Sequence, residues 1–146
     1  MASPIETYRG AVYPWHCDHM NHMNVMWYVG KFDEATWQLF SMLGLTSAWL
    51  RGNGRGMAAV EQRIAYQREL GAGATVVVRS TVLEVREKVL RFAHRMFDAE
   101  TDQVAATTLL VAAHIDTERR KACALPPVVS ERAQPLLGSL ELPWRE

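Results

Sequence analysis

The chain has 146 residues, 49% of them hydrophobic and 22% charged, a balance that fits one globular domain with a core of its own. Sixteen basic residues offset sixteen acidic ones, which excludes the marked basic excess of a dedicated nucleic-acid surface; Arg119-Arg120-Lys121 is a local cluster only. Cys17 and Cys123 make no disulfide framework, the first residues lack a signal-peptide pattern, and no run reaches the ~20 apolar residues of a membrane span. A soluble, reducing, cytoplasmic setting with no membrane and no nucleic-acid partner is therefore expected.

In chain order, Thr7 to Val12 reads as a first strand ending before Pro14. The loop Trp15-His16-Cys17-Asp18-His19-Met20-Asn21-His22-Met23-Asn24 follows, dominated by titratable and Asn residues and lacking the Gly or Pro of a simple turn. From Val25 or Met26 to Leu43 the pattern turns helical: Phe32, Ala35, Thr36, Leu39, Phe40 and Leu43 recur at three- and four-residue spacing. Asp33 and Glu34 are placed near the helix start, where acids favour the dipole, and Gly44 is a plausible stop. Thr46 to Leu50 suggests one more helical turn before the glycine-rich break at residues 51–56.

Four strands are then expected: Met57 to Arg68, with Val60, Ile64 and Tyr66 on one side; Thr75 to Arg86; Leu90 to Met96; and Val104 to Ile115. Glu87-Lys88 is a tight turn and residues 98–103 a hairpin loop. The last strand is small or apolar on both faces, and one helix covers only one face of a sheet, so a second subunit is expected on the other. Residues 117–146, holding Pro126, Pro127, Pro135 and Pro143, read as a surface tail. The order predicts an α+β fold, a five-stranded antiparallel sheet wrapped around one long central helix, as a single domain over 1–146 with its core at about 7–116.

Residues 18–28 are more specific. Asp18-His-Met-Asn-His22-Met-Asn24-Val25-Met-Trp-Tyr28 resembles the Asp-x-x-Gly-His-Val-Asn-Asn-x-x-Tyr signature of the 4-hydroxybenzoyl-CoA thioesterase family, which has the hot-dog fold. Asp18, His22, Asn24 and Tyr28 match in spacing; Asn21 replaces the family's Gly, and Val25 its second Asn. The resemblance implies an acyl-CoA thioesterase, with Asp18 as general base or nucleophile and an amide near Val25 polarising the carbonyl. It also implies a homodimer or dimer of dimers (a homotetramer) with the site at a subunit interface, an acyl-CoA partner and no cofactor.

Each residue also has a plainer reading. Asp18 could cap the helix; His22 could orient Asp18, meet substrate or tie the loop; Asn24 suits bonds to the backbone of a turn; Tyr28 could line the acyl pocket or pack in the core. Glu34 stands where another hot-dog branch carries its acid, but a first-turn charge explains it. His16, Cys17, Asp18, His19 and His22 are zinc-ligand types without a finger's spacing, so no metal is assigned. Lys88, Arg91 and the 119–121 cluster are candidates to meet CoA phosphates, and Trp27, Trp37, Trp49 and Met42 to shape an acyl pocket. Alternative functions are an enoyl-CoA hydratase, whose Asp and His are spaced differently, and a non-catalytic acyl-CoA-binding module.

Overall fold

The computed structural model describes residues 3–144. Its elements are β1 (Ile5–Ala11), a 3-10 turn at Pro14–His16, α1 (Val25–Met42), α2 (Ser47–Gly52), β2 (Arg55–Tyr66), β3 (Thr75–Val85), β4 (Val89–Asp98), β5 (Val104–Asp116), β6 (Lys121–Ala122), α3 (Pro127–Ala133) and a closing 3-10 turn at Gln134–Leu136. The five long strands pair antiparallel in the order β1-β3-β4-β5-β2, with β6 added to β5. The expected sheet and single long helix are present, and the arrangement is the hot-dog fold.

The sequence explains why α1 sits where it does. Phe32, Ala35, Thr36, Leu39, Phe40 and Leu43 bury the stripe that the spacing predicts, and Tyr28 extends it toward the N-terminus. Asn24 caps the N-terminus, its side-chain oxygen accepting from the Met26 N–H at 2.9 Å. At the other end the Leu45 N–H donates to the Phe40 carbonyl at 2.8 Å, and Gly44 adopts φ +92. That bond pattern requires a left-handed residue, which glycine supplies without a Cβ penalty. The sheet curls around this helix, helped by a register shift in each of the four long-strand pairings.

Two apolar clusters fill the space between. One gathers Leu39, Phe40 and Leu43 with Val82, Leu90, Phe92 and Leu110; the other gathers Val12, Met23, Tyr28 and Phe32 with Val76, Val78 and Met96. A buried polar chain also crosses the layers. The Thr36 hydroxyl donates to the Phe32 carbonyl at 3.0 Å, so His94 Nε2 must donate to Thr36 at 2.8 Å. His94 Nδ1 then accepts from Ser80 at 2.6 Å, and Ser80 in turn accepts from Thr7 at 2.7 Å. One helix and three strands are thus linked through a single histidine tautomer, and complete burial pushes the His94 pKa down to about 3.

Three expectations need correction. Residues 117–144 are not simply a surface tail: α3 places Val129 and Ala133 in the core beside Leu43 and Leu45, both fully buried. Alternating polar and proline residues concealed those two small apolar contacts. Asp33 and Glu34 are not in the first turn, which begins at Val25 and holds no acid, so the dipole does not account for them. Val60 does not share a side with Ile64 and Tyr66, because it falls at the Ala59/Glu61 bulge and is 61% exposed. The outer face of β5 is partly lined by this chain's own Trp144, which shares a cavity with Leu109 and Val111. No helix among the described residues is long and apolar enough to cross a membrane.

Candidate active site

The loop from His16 to Asn24 closes on itself before α1 begins. Cys17 and Met23 form an isolated antiparallel bridge, the Asn24 N–H donates to the His16 carbonyl at 2.9 Å, and the Asp18 N–H donates to the His22 carbonyl at 3.2 Å. Closing so short a loop requires a left-handed residue, and Asn21 supplies it with φ 66. Asn is among the few residues with a Cβ that tolerate this region, so the replacement of Gly leaves the turn possible. A buried Met23 and a bond from its N–H to the Leu70 carbonyl anchor the loop to the sheet.

Asp18 projects from this loop half-buried. One carboxylate oxygen accepts from the Met20 N–H at 2.9 Å and the other from Asn24 Nδ2 at 2.7 Å. These bonds, led by that from Asn24, hold the Asp18 carboxyl below the usual carboxylate value, so it is ionised at neutral pH. Asn24 therefore joins two structures: its amide nitrogen fixes the acid while its oxygen caps the helix. Immediately beyond, the Val25 N–H opens α1 and has no acceptor among the described residues. A first-turn N–H of this kind is a donor directed out of the helix end.

A cavity of about 380 Å³ adjoins this end, lined by His22, Val25 and Tyr28 together with Tyr66, Arg68 and Glu69 from the end of β2 and the loop after it. Tyr28 is buried; its hydroxyl donates to the Arg68 carbonyl at 3.2 Å, and its ring meets Tyr66 edge to face at 5.2 Å. Burial raises the Tyr28 hydroxyl to about 12, so it is a neutral donor. The His22 ring faces Glu69, with Nε2 at 3.6 Å from the carboxylate, and makes no hydrogen bond to Asp18. His22, Val25 and Tyr28 thus share one cavity, while Asp18 and Asn24 stand beside it on the loop. Tyr66 and Glu69 belong to the same cavity and were missed in the sequence, because residues distant in the chain carry no local signal of their approach to α1.

Among the described residues no group of three His, Cys, Asp or Glu side chains converges. His16 turns toward the ring of Trp27, 4.6 Å away, and accepts from the Tyr13 N–H through Nδ1. Glu34 lines a separate hollow with His16, Trp27 and Lys31. The candidate CoA contacts at Lys88 and residues 119–121 lie around the far end of β5, at the opposite end of the sheet from Asp18 within one chain.

The chain is similar to several named proteins. A betainyl-CoA thioesterase of Pseudomonas aeruginosa is 24% identical over 93% of this chain and 86% of its own length. An L-carnitine dehydrogenase/betainyl-CoA thioesterase of Agrobacterium fabrum is 27% identical over 86% of this chain, which spans only 26% of that longer protein. Among solved structures, a Staphylococcus aureus protein in complex with CoA superposes with a TM-score of 0.87 at 19% identity, covering 98% of this chain and 92% of its own. The narrower 4-hydroxybenzoyl-CoA branch rests on the residues 18–28 alone. Residues 12–133 match the model of the thioesterase-like superfamily, and the chain belongs to that family.

Proposed function

We propose that the protein hydrolyses acyl-CoA thioesters to a free acid and CoA, with Asp18 as the reacting carboxylate. The observation that carries this reading is the pairing of an ionised Asp18 with the acceptor-free Val25 N–H at the start of α1. In this reading the thioester carbonyl oxygen lies against the Val25 N–H, which stabilises the oxyanion as the carbonyl carbon becomes tetrahedral. Asp18 takes a proton from water that attacks this carbon, or attacks it directly to give an anhydride that water then opens. The C–S bond breaks, and the departing thiolate takes up the proton that the attacking water gives to Asp18; His22 lines the same cavity as a hydrogen-bond donor to the substrate. Asn24 positions Asp18, and Tyr28 walls the cavity beside the thioester.

The names of the relatives support CoA as the thiol, and they bring betaine-like acyl groups into consideration. A homodimer, or a dimer of dimers, also belongs to the proposal. Strand β2 is a sheet edge, and Ala58 through Arg63 are exposed along it. A long unpaired edge with exposed apolar residues such as Val60 is a template for pairing with a second strand. Two-fold antiparallel pairing through β2 would bring one chain's basic far end toward its partner's Asp18. The phosphates of CoA would then meet bases of the second subunit.

The test is release of free thiol from a panel of acyl-CoAs by the wild type and by Asp18→Asn. Turnover that disappears in the variant, with the circular-dichroism spectrum intact, supports the assignment. Full activity in Asp18→Asn overturns it. Single turnover in ¹⁸O-water then bears on the two roles: label in Asp18 requires an anhydride that water opens at the Asp18 carbonyl, and a general base never acquires it.

A further inference from the structure

A groove of about 350 Å³ runs along the other flank of α1, between the helix and strands β2, β4 and β5. Its lining starts at Met26, the residue after Val25, and includes Phe92 and Leu110. Aromatic rings make the inner wall: Trp37 meets Phe40 edge to face at 5.4 Å, and Phe40 meets Phe92 in the same way at 5.6 Å. Trp37 is 42% exposed although apolar, so this wall is open to an occupant.

The one charged side chain among the lining residues is negative. Asp33 carries a carboxylate with no hydrogen-bond or ion-pair partner among the described residues. Gln62 gives its amide nitrogen to Thr108 at 3.2 Å, leaving its oxygen as an acceptor. The Thr36 hydroxyl is already engaged with Phe32 and His94. No Lys, Arg or His among the described residues lines the groove.

Ring faces carry negative quadrupole charge and attract cations. Asp33 is exposed, so a neutral tail gains nothing from its carboxylate, and an anionic tail would be repelled by it. A cation with an apolar skin satisfies both the rings and the carboxylate.

Resting on the thioesterase reading above, we propose that this groove is the acyl site and that Asp33 and Trp37 select an acyl group ending in an alkylammonium cation. The helix sets its length. Asp33 lies eight residues beyond Val25, about 12 Å of helix rise. Its side chain leans back toward the N-terminus, which shortens the gap. The cation therefore sits roughly 7–9 Å from the carbonyl, a chain of about six bonds, given C–C bonds of ~1.5 Å.

The experiment compares a trimethylammonium-tipped hexanoyl-CoA with its neutral isostere, in which carbon replaces the nitrogen, and with the two-carbon cationic homologue. The wild type should favour the six-carbon cation over its isostere by about 10-fold or more in kcat/KM. It should favour it over the short homologue as well. Asp33→Asn and Trp37→Leu should each bring the cation-to-isostere ratio toward unity. Glu34→Gln, one residue away but outside the groove, should leave that ratio in place. Equal or better turnover of the neutral isostere by the wild type, or an unchanged ratio in Asp33→Asn, overturns the proposal while leaving the thioesterase reading intact. If no acyl-CoA is hydrolysed, the thioesterase reading fails separately, and calorimetric titration of the two six-carbon thioesters into Asp18→Asn decides the groove. Tighter binding of the cation supports it, and equal binding overturns it.

Discussion

The Asp18 loop and the His94 chain both attach α1 to its surroundings through polar side chains, and both hold a titratable group whose pKa is lowered. The causes are opposite. Hydrogen bonds to its charged form keep Asp18 ionised, whereas burial penalises the charged form of His94 and keeps it neutral. Asp18 is half-buried and has lone pairs to spare; His94 is fully buried, and both of its ring nitrogens are engaged. A perturbed group therefore marks chemistry only where its environment leaves it able to meet a substrate. In His94 the same direction of shift marks a structural joint.

Substitution should separate the two regions most sharply. Asp18→Asn is expected to lower kcat by about 10²–10⁴-fold. Its midpoint of thermal unfolding should stay close to the wild type's. His94→Gln should do the reverse. It leaves part of a buried chain unsatisfied and should cost about 2–4 kcal/mol in urea unfolding, with kcat retained at temperatures where the fold persists. A loss of turnover in His94→Gln without a loss of stability would break the distinction.

Proton linkage sharpens the same comparison. His94 titrates near 3 when folded and near its ordinary 6.5 when unfolded, so the unfolded chain binds the extra proton. Its contribution is complete above about pH 6.5 and is lost as pH falls toward 3, at most about 5 kcal/mol over that window. His114, also lowered by burial, adds a slope of the same sign, so the difference between wild type and His94→Gln isolates the share of His94. Urea unfolding at stepped pH measures it, and parallel curves for the two proteins would remove His94 from the account.

Asn24→Ala should have a smaller and double effect. Losing the cap costs about 1 kcal/mol. Losing the bond to Asp18 raises the pKa of that carboxyl toward its ordinary value. The acid limb of kcat/KM should accordingly move upward in pH, an effect that cap loss alone would not produce. Smallest of all is Asn21: Asn21→Ala should destabilise by about 1 kcal/mol at its positive φ, while Asn21→Gly should stay within about 0.5 kcal/mol of wild type.

The sequence by itself determined the helix and the strands, because the signals for them are local. The three- and four-residue spacing from Phe32 to Leu43 and the β-branched run from Thr75 each belong to one element, and the motif from Asp18 to Tyr28 is one consecutive stretch. Asn24, Val25 and Tyr28 fall together because one helix start holds them. Tertiary structure decided what depended on distant segments meeting. Tyr66 and Glu69 reach the cavity only once β2 lies beside α1, and Asp33 shares a groove with Phe92 only once β4 packs under Phe40. Val129 and Ala133 look like parts of a proline-bounded tail until Gly44, with no side chain of its own, lets Val128 and α3 close over the end of α1. His94 reads as an ordinary alternating strand residue; only the curled sheet brings Ser80 and Thr36 to its two nitrogens and fixes its proton. Periodicity reports which way a side chain points, whereas packing decides what it meets there.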